Sequence, residues 1–222
     1  MDDNPLFALT EVAQELIRRL EQQTGVTLPD GALMWPLHGA DEDFPGAGDG
    51  VPLYPSRELA GTAGLYLWLS QQNFGEVVFA NDLSWQVHGL DAVVHDRRRD
   101  RYLLCEAKGT ERPLHTSPLP YLRQTRRKGR QLSWVWCWRS LADCAFVATT
   151  APLFLGLLGP FLEGRVERFL VVTLIDKENE GWKINRSRAW EEADLAAFPE
   201  LTQPHDLDRQ RAWYAALEAR QG

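Results

Sequence analysis

The segments His88-Gly89-Leu90-Asp91-Ala92-Val93-Val94 and Tyr102-Leu103-Leu104-Cys105-Glu106-Ala107-Lys108-Gly109 flank the charged stretch Asp96-Arg97-Arg98-Arg99-Asp100-Arg101. Two short apolar runs about a polar tip read as a β-hairpin. Side chains alternate along a strand, so Tyr102, Leu104, Glu106 and Lys108 share one face while Leu103, Cys105 and Ala107 share the other. A carboxylate and an ammonium thus project side by side from the end of an otherwise apolar strand. If the strands pair antiparallel about the turn, Asp91 reaches the same point from the neighbouring strand. Two carboxylates converging with a lysine suit a hard cation, with a charged group left for a water or a phosphate.

Asp91, followed at the spacing seen here by Glu106-Ala107-Lys108, resembles the D…ExK signature of the PD-(D/E)XK restriction-endonuclease-like superfamily, with Leu90 where that signature usually has proline. The downstream Lys128-Gly129-Arg130-Gln131-Leu132-Ser133-Trp134 is similar to a Gly-Lys-Gln-Met-Ser-x-x-Trp-like segment in nuclease domains of bacterial contact-dependent and other polymorphic toxins. Leu132 stands at the Met position, and Trp134 or Trp138 at the Trp. The resemblance covers roughly residues 56–140. It implies a mixed β-sheet flanked by helices on both faces and a magnesium- or manganese-dependent nuclease acting on DNA or tRNA. Asp91 and Glu106 would be metal ligands, with the Ala107 carbonyl beside them and Lys108 as the catalytic cation. Glu58, on a helix before the sheet, matches a third acid that such nucleases often carry there, and would complete the metal shell or hold a second ion. Gln131 with Arg123, Arg126, Arg127, Lys128 and Arg130 would contact nucleic acid. A cognate immunity protein is the partner that the toxin likeness adds, and a cytoplasm, including that of a target cell, is the compartment.

The totals agree with a folded chain. At 222 residues, 44% hydrophobic and 25% charged, it has the makings of one ordinary domain with a sizeable core. Cys105, Cys137 and Cys144 form no CxxC pair, which argues against a zinc knuckle or a disulfide framework and for reduced, buried thiols. Met1 to Pro5 lacks the basic start and apolar run of a secretory signal. The longest uncharged stretch, Cys144 to Leu162, is broken by Pro152, Gly156, Gly159 and Pro160, so no stable membrane span is expected.

Net charge is −7, which argues against non-specific coating of nucleic acid. Yet eleven basic residues oppose four acidic ones between Asp96 and Arg130, and the rest of the chain is strongly acidic. That field beside the Asp91–Lys108 cluster suits a polyanionic substrate. The five histidines are scattered; a metal-independent RNase built on His88, His95 or His115 is the weaker rival. No phosphate-binding glycine loop and no nucleophile elbow occurs.

Along the chain, apolar residues at three- and four-residue intervals predict an amphipathic helix over 6–23. A Gly/Pro-rich linker follows to residue 55, with an acidic turn at Asp41-Glu42-Asp43. Ser56 caps a helix over 57–72 that carries Glu58 in its first turn. Strands follow at 77–80 and from Ser84 to His88 into the Asp91 strand, then a proline loop over 113–120. The spacing predicts a helix from Tyr121 to Leu141 with Gln131, Trp134 and Trp138 on one stripe. Buried strands at 145–149 and 168–175 come next, then helices near 191–197 and 206–219. The chain divides into a helix and linker (1–55), a nuclease-like α/β core (56–195) and a C-terminal helix packing on it (196–222). Two other readings stand beside the enzyme. The charged cluster is an ordinary strand-end set of ion pairs, or the fold is catalytically idle and binds a protein partner or nucleic acid.

Overall fold

The structure is a computed structural model and describes residues 53–54, 56–72, 76–80, 89–145, 151–178, 181–202 and 206–219. In chain order its elements are β1 (Leu53–Tyr54), α1 (Arg57–Gln72), β2 (Glu76–Ala80), β3 (Ala92–Asp96), β4 (Arg101–Thr110), a 3-10 turn (Leu119–Tyr121), β5 (Gln124–Thr125), β6 (Gly129–Arg130), α2 (Trp134–Cys144), α3 (Ala151–Leu162), β7 (Val166–Glu178), β8 (Gly181–Trp190), α4 (Glu192–Leu195) and α5 (Leu207–Glu218). Six strands form one sheet in the order β1-β8-β7-β4-β3-β2. Every pairing is antiparallel except the central one between β4 and β7. The class is mixed α/β with a mostly antiparallel sheet.

The alternation read in the hairpin sets the layers. Ala92, Val94, Leu103, Cys105 and Ala107 pack with Ala60, Ala63, Leu65 and Leu69 of α1 on one face. Val93 and Leu104 turn to the other, where Trp136, Cys137 and Leu141 of α2 and Phe154, Leu157 and Phe161 of α3 cover them. β7 divides likewise, Phe169 and Val171 toward α1 and Leu170 and Val172 toward α2 and α3. A strand covered on both faces reads as a continuous apolar run, as Leu103–Cys105 and Phe169–Val172 do. Each such Leu, Val or Phe contributes about 1.5–3 kcal/mol by leaving water. The parallel β4–β7 pair needs a long crossover, and residues 111–165 provide it, carrying β5, β6, α2 and α3 across the sheet.

Two glycines bring the start of α1 onto the end of β4. A Cβ on Gly61 would lie 2.6 Å from the Gly109 nitrogen, and one on Gly109 would lie 2.4 Å from the Arg57 carbonyl oxygen. Backbone approaches backbone only where neither residue carries a side chain. This crossing holds Glu58 beside the end of the strand that bears Glu106 and Lys108.

The expected helix over 57–72 is α1, and the expected charged tip is the turn Arg97–Asp100. There Asp96 Oδ1 accepts from the backbone N–H groups of Arg98 and Arg99 at 3.0 and 3.3 Å. Three expectations need correction. No helix runs from Tyr121 to Leu141: that stretch is the 3-10 turn, the β5–β6 hairpin and only then α2. Gly129 (φ 87°) and Leu132 (φ 56°) both break a helix, and the Ser133 side chain caps α2 by accepting from the Trp136 N–H. Gln131 therefore lies outside α2, and only Trp134 and Trp138 share a stripe, both against Phe161. Second, β8 was not foreseen. Third, the segment read as linker ends in β1, which pairs Leu53 with Lys183 and Tyr54 with Trp182 at the sheet edge.

Other expectations, the helix over 6–23, most of the linker with Asp41–Asp43, the Ser84–His88 strand and most of the 145–149 strand, lie outside the described residues. Cys105, Cys137 and Cys144 are buried and unbridged. Among the described residues no helix is long and apolar enough to cross a membrane.

Candidate active site

The antiparallel register of β3 on β4 pairs Ala92 with Cys105, which sets Asp91 opposite Glu106. The Asp91 N–H donates to the Cys105 carbonyl at 3.0 Å. Its Oδ2 accepts from the Ala107 N–H at 2.6 Å. The hairpin thus fixes Asp91 through two contacts, its backbone N–H on Cys105 and its carboxylate on the Ala107 N–H, one on each side of Glu106. Glu106 is 2% exposed. Its Oε1 accepts from Lys108 Nζ and from Gln131 Nε2, the latter at 2.7 Å. Its Oε2 is buried and has no hydrogen-bond partner. An ionised carboxylate with one oxygen orphaned is costly in an apolar setting. Burial, ahead of every other cause, pushes the Asp91 carboxyl up to about 6 against the pull of the Ala107 N–H and of Lys108, and Glu58 pushes the same way as burial. Burial, then repulsion from Asp91, pushes Glu106 up to about 8 against Lys108 and Arg123.

These groups open on a cleft of about 680 Å³. Glu58, Asp91, Glu106, Lys108 and Gln131 line it, and Arg123, Arg126, Arg127 and Lys128 from the β5–β6 hairpin form a basic wall. Lys128 also pairs with Asp143 at 2.8 Å. Arg130 does not line the cleft. Its guanidinium donates to the Leu122 and Leu119 carbonyls, at 3.0 and 3.5 Å, and ties the loop before the hairpin.

The positive field is narrower than the charge count implied. Arg99 contacts Asp96 (2.6 Å) and Glu167 (3.1 Å), and Arg101 contacts Glu167 (3.5 Å), at the opposite end of β4. Six residue steps of strand, about 20 Å, separate Tyr102 from Lys108. Neither described candidate histidine reaches the cleft: His95 stacks on Tyr102, and the His115 N–H donates to the Tyr121 hydroxyl. His88 lies outside the described residues.

Gln131 arrives from the turn before α2. Its N–H donates to the Arg123 carbonyl and its Oε1 accepts from the Arg123 N–H, both at 3.0 Å. This leaves only Nε2 to face Glu106. The sequence reading missed the groups behind that turn, the buried Arg168 and its half-buried partner Glu192. A lone arginine opening the apolar run Phe169-Leu170-Val171-Val172 was the available signal.

The donor set fits a hard cation. Magnesium is commonly held by one or two carboxylates, keeping waters and taking phosphate oxygens as its other ligands. Asp91 and Glu106 provide two carboxylates, and Glu106 Oε2 lacks any other partner. Glu58 lines the same cleft, but among the described residues no three His, Cys, Asp or Glu side chains form one set placed to hold an ion together.

The raised carboxyls carry a linkage consequence. A folded-state pKa above the unfolded value stabilises the fold fully below the unfolded pKa, and that contribution is lost as pH rises through the folded one. For this pair the loss runs from about pH 4, the ordinary carboxylate range, upward through about 6 and about 8. The metal-free protein is therefore expected to lose part of its urea resistance between about pH 5 and pH 8. A magnesium ion held by this pair would favour its ionised form and should raise the melting temperature more at the upper end. Equal shifts across that range, or none, would count against a cation at Asp91 and Glu106.

In comparisons with protein-family models, curated proteins and solved structures, nothing matches the chain.

Proposed function

We propose that the protein is a magnesium-dependent nuclease that hydrolyses phosphodiester bonds of DNA or RNA at the Asp91–Glu106–Lys108 cluster. The observation that carries this reading is the buried, unpartnered Glu106 Oε2 beside a second carboxylate, in a cleft walled by arginines. A structural ion pair leaves no reason for that orphaned oxygen, whereas a cation satisfies it. Held by Asp91 and Glu106, magnesium, or manganese in its stead, would neutralise the scissile phosphate and lower the pKa of a bound water. Lys108, its ammonium against Glu106, would brace the negative charge that develops on the phosphate. Arg123, Arg126 and Arg127 would grip phosphates on either side, setting position and not sequence. Gln131 holds Glu106 in orientation. Glu58 adds negative charge at the cleft mouth and would draw the ion in.

The role as a bacterial antagonistic toxin, with an immunity protein as partner, rests on the likeness of the Glu106-Ala107-Lys108 and Lys128–Trp134 segments alone. A second reading, an idle module of the same fold that binds a protein partner or nucleic acid, takes support from the Lys108–Glu106 contact, which neutralises the pair without a ligand.

The deciding experiment incubates the protein with plasmid DNA and with total tRNA, in magnesium or EDTA, beside Lys108→Ala. Expected is cleavage of one substrate that EDTA abolishes and that Lys108→Ala slows by about 10²–10³-fold, the scale of losing one preorganised electrostatic group. Folded protein that cleaves neither substrate would leave the idle binding module as the better reading.

A further inference from the structure

We infer that Arg168 is a positioning residue for this site: its buried guanidinium holds the strained turn at Leu132 and so keeps Gln131 on Glu106.

Leu132 sits at φ 56°, a left-handed conformation that residues with side chains rarely adopt. Such a backbone persists only where its surroundings over-determine it. Here the surroundings converge on one group. Arg168 Nη1 donates to the Leu132 carbonyl at 3.0 Å and to the Leu201 carbonyl at 2.6 Å. Its Nε and Nη2 fork onto the two carboxylate oxygens of Glu192 at 2.8 and 2.5 Å. The Arg168 backbone N–H donates to Glu192 as well, at 2.9 Å. The guanidinium is 0% exposed and lies 4.2 Å from the centre of the Trp134 ring.

The path from this anchor to the site is short and closed. Arg168 pairs with Leu104 across β7 and β4, two residues before Glu106 on the same strand. The turn thereby takes its position from the sheet that carries the carboxylate it must meet. Next to Leu132 the chain is tied on both sides, by the Gln131 N–H to the Arg123 carbonyl and by the Ser133 N–H to the Arg130 carbonyl. Gln131 Nε2 then closes the ring on Glu106 Oε1. Arginine is required because a planar fork addresses a carboxylate and two carbonyls at once, which the point charge of lysine does not.

The consequence for turnover rests on the nuclease reading; the geometric part does not, and the test separates them. The probe is the side-chain amide of Gln131 in nitrogen-15 NMR, identified by its loss in Gln131→Ala. In Arg168→Lys its protection from hydrogen exchange should fall by at least about tenfold, while the amides of β4 stay protected. With the cleaved substrate, kcat should fall about 10²-fold with KM within about threefold, as for a displacement of about 1 Å at a reacting centre. Leu157→Ala, which opens a cavity elsewhere in the same core, should lower the melting temperature yet keep the Gln131 signal and kcat. Glu192→Gln, which keeps one acceptor, takes the place of Arg168→Lys if the latter does not fold. Unchanged Gln131 protection in the folded variant overturns the inference. Absence of cleavage by the wild-type chain overturns the proposed function alone, and the exchange measurement still decides the role of Arg168.

Discussion

Replacing Glu106 by Gln should abolish cleavage and, at about pH 8, make the metal-free protein harder to unfold. The two effects have one cause. Glu106 is 2% exposed, and burial with repulsion from Asp91 disfavours its ionised form. An amide of the same shape removes that buried charge and keeps an oxygen to accept from Gln131. The fold is relieved, while the cleft loses a carboxylate that the proposed divalent cation would need. Charge stabilisation by a metal ion is worth several kcal/mol in the transition state, so a loss of about 10³-fold or more is expected. The opposite signs make the experiment sharp. A variant that loses activity by unfolding would lose stability too; a functional site carries strain that its removal relieves. Activity within about tenfold of wild type, together with weakened urea resistance, would show that Glu106 is a structural ion-pair partner.

The parts of this site that the sequence made legible are those determined by neighbours along the chain. Alternation places Glu106 and Lys108 on one face of β4, and the charged turn fixes the β3–β4 register that sets Asp91 opposite Glu106. Glu58 follows from the expected start of the helix at Ser56, whose carbonyl accepts from the Ala60 N–H, and from the first turn of α1. Beyond this range the signal fails for physical reasons. β8 is half-exposed along most of its length, with only Ile184 and Trp190 buried, so Lys183, Asn185, Arg186 and Arg188 hide its period. The turn at Leu132 has no local mark, since leucine is a good helix former and gives no hint of a positive φ. Its cause is Arg168, thirty-six residues further along the chain. The charge count misled for a similar reason: eleven basic residues are close in sequence, but a ten-residue strand carries part of them to the far end of the sheet.

Glu192→Ala should be among the most damaging truncations of the described residues away from the cleft. Removing one partner of a buried ion pair leaves an uncompensated charge and costs about 3–5 kcal/mol, a large share of the roughly 5–15 kcal/mol that holds an ordinary domain together. Buried lysines and carboxylates limit such a loss by giving up or taking on a proton. Arg168 has no such escape, because a guanidinium stays protonated in proteins. The Trp134 ring beside it offsets only about 2 kcal/mol, and the Leu132 and Leu201 carbonyls are already engaged. The reverse truncation is not equivalent: Glu192 is 26% exposed and keeps access to water when Arg168 is removed. Urea unfolding at neutral pH reads the difference. A drop below about 1 kcal/mol, the scale of a surface pair, would show that water or another group reaches the guanidinium. A drop of the expected size with an unchanged denaturant slope would place the loss in the folded state, where one side chain fastens β7, α4 and two turns.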